Sequence, residues 1–246
     1  MYVEMPYSIS QCILILVRVQ KNAYLLPEKK YSDVHPFLSF LKQRLQQTLP
    51  GKAAQMKMAP SPISGGRVRL YDAPEHVRKS SVLVPFIQSE EHELELLLTL
   101  RAAHIKHGGQ ISFPGGRLEG NEQHEAAALR EAHEEVGILP SNVELIGRSS
   151  DLYVNHSNNH VTPVVGFLKE RPKMILQREE VDEAFFIPFS QFVSNDTRAS
   201  AIWELQASQY NVPFWNIHRV PLWGATAMML SEIVELYIEF ESLNPD

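Results

Sequence analysis

The stretch Phe113–Leu139, FPGGRLEGNEQHEAAALREAHEEVGIL, constrains this chain more than any other. It reads as a glycine turn, a short acidic loop and then a helix that carries Glu131, Glu134 and Glu135. Spacings of three and four put those carboxylates on one helical face. Ala126, Leu129, Ala132 and Val136 fall on the opposite side, so one face packs while the other gathers negative charge. Such like-charge pairs cost about 0.2–0.5 kcal/mol each in a helix, a cost that a bound divalent cation reverses. Asn121 is expected to cap the helix, with Glu122 and Glu125 near its positive end. Ala127 and Ala128 are expected beside the glutamate face, leaving room for a metal and a polyphosphate, and His133 on the packed side. The alternative is a solvated acidic helix.

Gly116, Glu122 and the run Arg130-Glu131-Ala132-His133-Glu134-Glu135-Val136-Gly137-Ile138 fill every fixed position of G-x5-E-x7-R-E-U-x-E-E-x-G-U, where U is aliphatic. The stretch thereby resembles the Nudix box. The resemblance implies the Nudix fold, an α/β/α sandwich with a mixed sheet, and metal-dependent hydrolysis of a pyrophosphate bond. It also implies that Glu131, Glu134 and Glu135 hold Mg2+ or Mn2+ with the Gly115 carbonyl as a further ligand. Arg130 would pair with Glu122.

Upstream, Arg101-Ala102-Ala103-His104-Ile105-Lys106-His107-Gly108-Gly109-Gln110 places cations, histidines and glycines just before the glycine turn, as an anionic phosphate ester needs. Read without context it is equally a polar surface loop. Leu97-Leu98-Thr99, Arg101-Ala102 and Gly109-Gln110-Ile111-Ser112-Phe113-Pro114-Gly115-Gly116 resemble the signature of the coenzyme A pyrophosphatase branch of the family, L-L-T-x-R-[SA]-x3-R-x3-G-x3-F-P-G-G. Here the interval from Arg101 to the glycine is one residue shorter, and Lys106 stands nearest to the second arginine. Val161–Gly166 and Pro221–Ala227 resemble the same branch. The resemblance implies cleavage of coenzyme A or its derivatives to phosphopantetheine and adenosine 3′,5′-bisphosphate, with Arg101, Lys106 and His107 meeting substrate phosphates. A further catalytic carboxylate, Glu180, is expected on the acidic loop before Phe185–Phe189, and Glu131 or Glu180 would take a proton from water. The alternatives are a Nudix hydrolase of ADP-ribose, NADH or another dinucleotide, and a catalytically silent nucleotide-binding regulator.

The rest of the chain supplies boundaries. Residues 1–32 form an N-terminal extension in which the apolar run Ile13–Val17 is too short to span a bilayer. Residues 33–78 comprise an amphipathic helix over Asp33–Leu49 and a linker punctuated by Pro50-Gly51, Pro60-Ser61-Pro62 and Gly65-Gly66. Residues 79–246 form the catalytic domain, with strands at Val82–Ile87, Leu94–Leu100, Val143–Gly147 and His160–Leu168 and a closing helix that packs Met229, Ile233, Leu236 and Phe240. A net charge of −6 argues against general nucleic-acid binding, and the single Cys12 fits a reducing, cytoplasmic setting. The expected partner is a small nucleotide substrate, not a membrane, with homodimerisation left open. His156 and His160 are four apart, but Asn158-Asn159 between them mark a turn, which reads against a metal pair.

Overall fold

The computed structural model describes residues 34–63, 74, 76–205 and 207–244. The expectations for residues 1–32 and for Gly65-Gly66 lie outside them. Its centre is a mixed sheet, ordered β4 (Ile111–Ser112), β3 (Leu94–Arg101), β2 (Arg78–Gln88), β8 (Asn159–Leu168) and β6 (Val143–Arg148). β5 (Gly115–Arg117) pairs with β2, β7 (Leu152–Val154) with β8 and β9 (Val181–Pro188) with β3. Only β2 and β8 run parallel among these pairs, from Arg78 opposite Asn159 to Phe86 opposite Phe167.

Alternation along β2 and β3 explains the layers, because side chains two apart share a sheet face. Leu83, Ile87 and Leu97 point to one face, where Ala128, Ala132 and Val136 of a helix cover them. Phe86 points to the other, against Phe37 and Phe189, and Phe37 in turn packs on Tyr237 and Phe240. Helices therefore cover both faces, and the fold is the expected α/β/α sandwich.

On that second face lie α1 (Pro36–Arg44) and the long C-terminal helix, here α5 (Gly224–Leu243). α1 is shorter than the amphipathic pattern suggested. Pro36 fixes its first turn after His35, whose Nδ1 accepts from the Phe37 amide at 3.3 Å. The proline- and glycine-rich stretch after it is not all linker. Lys52–Gln55 form a short helix, α2, continued by a 3-10 turn over Met56–Met58, and Ser61–Pro62 form β1. Ser231 Oγ of α5 donates to the Ala54 carbonyl at 2.8 Å, fastening α2 to the C-terminal helix.

A second, smaller sheet has no counterpart among the strands expected from the sequence. β10 (Arg198–Leu205) and β11 (Ser208–Trp215) pair antiparallel, flanked on β11 by β1 and β12 (Leu222–Trp223). Its inner side chains Val212, Trp215 and Leu222 are buried, and Trp215 Nε1 donates to the Phe192 carbonyl at 3.1 Å from the short helix α4 (Ser190–Val193). No helix among the described residues is long and apolar enough to cross a membrane.

Candidate active site

The acidic helix is α3, His124–Val136, close to the predicted span. Its first residue follows Gln123 and not Asn121, because Glu122 is held in the preceding turn, where its carboxylate accepts from the Glu119 amide at 3.2 Å. Ala127 and Ala128 lie four and three residues before Glu131 on α3 and share its face. Both are fully buried, and the glycine turn packs close on the same face. His133 is exposed and lines an open cavity with Glu134, not packed beside Leu129. At Gly116 an added Cβ would lie 2.3 Å from the Glu131 carboxyl group, so only hydrogen permits this approach of turn and helix.

Arg130 organises the carboxylates. Its Nε and Nη2 donate to the two oxygens of Glu122 at 3.1 and 3.0 Å, the forked geometry of an arginine–carboxylate pair. Nη1 donates to Glu131 at 3.0 Å and Glu134 at 3.1 Å, and Nη2 also reaches the Arg117 carbonyl at 2.9 Å. The expected Arg130–Glu122 pair is thus one part of a five-bond knot that fixes the glycine turn to α3. The bond from Arg130 holds the Glu122 carboxyl below the usual range.

Glu135 is different. Only 3% exposed, it accepts the Gly115 amide at 3.1 Å. Burial, assisted by the charges of Glu131 and Glu180, pushes its carboxyl up to about 8. Burial likewise raises Glu131, with Glu134 and Glu180 adding to the effect. Glu180 reaches this neighbourhood on a strap from Lys169 to Glu180 that crosses the C-terminal end of α3. The strap donates from Ile175 N to the Val136 carbonyl at 3.1 Å and from Gln177 N to the Glu135 carbonyl at 2.9 Å, satisfying two carbonyls the helix leaves open. The Glu180 carbonyl then accepts from the Ala102 amide at 2.9 Å, tying the strap to the end of β3.

Among the described residues no three acidic, histidine or cysteine side chains already form a cation cage. Arg130 engages two of the three box glutamates instead. The donor set nevertheless fits a hard divalent cation: oxygen ligands only, a buried carboxylate whose ionisation the surrounding negative charge opposes, and glycines that admit close approach.

That environment predicts a pH dependence for the metal-free protein. A Glu135 carboxyl raised from 4.5 to about 8 keeps in the native state a proton that the unfolded chain releases. Its stabilising contribution is complete below pH 4.5 and is lost as pH rises through 8. Denaturation midpoints in EDTA should fall over this window, with a slope of at most about 1.4 kcal/mol per pH unit. Magnesium or Glu135→Gln should flatten the profile. A metal-free profile that is already flat contradicts the buried acid.

The cationic loop lies at the same end of the sheet. Arg101 opens it, with its amide on the Gln110 carbonyl at 3.0 Å and its carbonyl accepting from Gly109 at 2.9 Å. His107 adopts a left-handed φ of 60°, and Gly108 passes so close to Ala103 that a Cβ would meet its carbonyl at 2.4 Å. Arg101 acts electrostatically on both Glu135 and His107, which links the loop to the box. The structure also brings in a residue that the sequence reading set aside: the His156 ring lies 5.6 Å from that of His107.

A mixed-sheet sandwich with a glycine turn, an arginine-knotted glutamate helix and a carboxylate strap defines a phosphoanhydride hydrolase of the Nudix type. The comparisons agree. The family model of the NUDIX domain matches residues 77–206. Nudix hydrolase 3 of Caenorhabditis elegans is 27% identical over 187 residues, covering 68% of this chain and 73% of that protein. A protein called uncharacterized Nudix hydrolase NudL, from Yersinia pestis (strain Pestoides F), is 34% identical over 160 residues, covering 64% of this chain and 79% of its own length. Among solved structures, a Nudix hydrolase from M. Smegmatis, RenU, aligns over 76% of this chain and 96% of its own at 16% identity and a TM-score of 0.46. The chain belongs to the Nudix family and is a Nudix hydrolase.

Proposed function

We propose that this hydrolase cleaves the diphosphate of coenzyme A or its derivatives, releasing phosphopantetheine and adenosine 3′,5′-bisphosphate. The observation that carries the reading is the basic Arg101–Gln110 loop, tied next to the box by the Ala102 amide on the Glu180 carbonyl at 2.9 Å, with Arg101 acting on Glu135. Coenzyme A brings a diphosphate for the box and an additional phosphate monoester for which such a loop supplies counter-charge.

In this reading Glu131, Glu134, Glu135 and the Gly115 carbonyl hold magnesium or manganese, which would neutralise the diphosphate and orient the attacking water. Water attacks one phosphorus in line with the bridging oxygen, the P–O bond to that oxygen breaks, and the departing phosphate leaves with the electron pair. Glu131 or Glu180 accepts the proton of the water. Arg130 fixes the turn and the helix as one unit through Glu122 and Arg117, so the ligands keep their spacing while substrate binds. Arg101, Lys106 and His107 meet the substrate phosphates.

A magnesium-supported substrate panel, read by product identity, tests this. A charge-assisted contact to the 3′-phosphate is worth about 1.5–3 kcal/mol, which is roughly a ten- to hundredfold preference. Coenzyme A should therefore exceed 3′-dephospho-coenzyme A in kcat/KM, and Arg101→Ala or Lys106→Ala should narrow the gap. Equal rates on the two substrates remove the phosphate contact. A clear preference for ADP-ribose, NADH or another dinucleotide moves the assignment to that class. Ligand binding without turnover would instead describe a regulator, an outcome that the complete glutamate set disfavours.

A further inference from the structure

We infer that His156, on the turn between β7 and β8, joins His107, Lys106 and Arg101 to form a binding site for a terminal phosphate monoester. The inference rests on the coenzyme A reading for the identity of that monoester, the 3′-phosphate, but the site itself follows from the arrangement of charge.

His107 and His156 come from segments far apart in sequence, yet their rings meet edge to face at 5.6 Å. Burial lowers the proton affinity of His107, and the neighbouring Lys106, His156 and Arg101, all basic, lower it further. No ion pair among the described residues engages Lys106, His107 or His156. Neighbouring basic groups are balanced differently, since Arg148 bonds Glu125 at 2.6 Å and His160 lies 3.8 Å from Asp151. In a chain of net charge −6, Lys106, His107 and His156 thus gather without a carboxylate in ion-pair contact, and their mutual repulsion on protonation is relieved by a bound anion.

The presentation of His156 is built rather than incidental. The Asn158-Asn159 turn that reads against a metal pair is present, and it fixes the backbone next to His156. Asn158 adopts a left-handed φ of 47°, its amide donates to the Asn155 carbonyl at 3.2 Å, and its side chain accepts the Tyr153 hydroxyl at 3.0 Å. Its carbonyl takes the Arg78 amide at 3.3 Å, anchoring the turn to the start of β2.

The donor count selects the ligand. An ammonium, a guanidinium and two imidazoles each offer at least one N–H group, and the only acceptors among them are the ring nitrogens of a neutral imidazole. Such a set suits the three terminal oxygens of a monoester better than an internal phosphodiester, which exposes two. Arg101 touches electrostatically both this cluster and Glu135 of the box. A single substrate with a diphosphate and a separate phosphate monoester can therefore engage both.

Two measurements test the site. In steady-state kinetics with magnesium, His156→Ala should lower the ratio of kcat/KM for coenzyme A to that for 3′-dephospho-coenzyme A about tenfold, through KM for coenzyme A. In calorimetry on the full chain, adenosine 3′,5′-bisphosphate should bind more tightly than AMP, and His156→Ala should erase that difference. An unchanged ratio in a folded His156→Ala variant overturns the site while leaving coenzyme A hydrolysis standing. If the wild type does not cleave coenzyme A, the proposed function fails and calorimetry alone decides the site. A bisphosphate preference lost in His156→Ala then supports it, and equal binding of bisphosphate and AMP overturns it.

Discussion

Glu134→Gln is expected to lower kcat by about three orders of magnitude, because the charge of a metal-holding carboxylate contributes several kcal/mol to the transition state. The substitution is nearly isosteric, and the Glu134 side chain is 56% exposed. Its one ion pair among the described residues is the bond from Arg130 at 3.1 Å, and exposed pairs contribute only about 0–1 kcal/mol to stability. Arg130 keeps Glu122, Glu131 and the Arg117 carbonyl in the variant. Thermal unfolding should thus stay close to wild type while turnover collapses, and magnesium affinity measured by calorimetry should weaken. Turnover near the wild-type rate at saturating magnesium would remove Glu134 from the metal site. A large fall in melting temperature alongside the lost activity would instead assign it to the Arg130 knot.

Much of this site is legible in the sequence because helical spacing alone places Glu131, Glu134 and Glu135 together, and the glycine turn must precede them. The strands that carry the site are legible for a similar reason: β2, β3 and β8 are buried on both faces, and their apolar runs are continuous. What the sequence hid depends on contacts between distant segments. His133 looks like a packed residue beside Leu129 until the helix is seated on the sheet and leaves it exposed. His156 looks like a turn residue until loop 101–110 is folded against it. The hairpin β10–β11 alternates weakly, with Ile202 64% exposed on a strand that otherwise carries half-buried and polar residues, so its period-two signal is blurred. Arg130 was readable as a partner of Glu122, but its bonds to Glu131 and Glu134 depend on the guanidinium standing between the turn and the helix.

Glu232 left no trace in the sequence reading, where it sits among apolar neighbours of the closing helix, and its replacement should have the largest effect on stability. It is fully buried in α5. One oxygen accepts the Gly51 amide at 2.6 Å and the Ser150 hydroxyl at 2.7 Å, and the other accepts the Ser150 amide at 2.8 Å. The carboxylate thus ties three segments together: α5, the turn that opens α2, and the loop between β6 and β7. A buried donor stripped of its acceptor costs about 1–3 kcal/mol, and Glu232→Ala strips three donors at once. The expected loss is about 3–5 kcal/mol after partial recovery through water, which for a chain of this size lowers the melting temperature by roughly 6–20 °C. Ser150→Ala removes only the hydroxyl and should cost about 1 kcal/mol. A double-mutant cycle between the two should show strong coupling, because both changes act on the same bonds. Glu232→Gln is no rescue, since it turns one acceptor into an NH2 group that faces donors. The box is built from β5, α3 and the strap, whereas the bonds of Glu232 go to Gly51 and Ser150, so kcat per folded molecule should be preserved below the new transition. A Glu232→Ala protein that melts within about 2 °C of wild type would show that the three donors find other partners and that α5 is held by its apolar face alone.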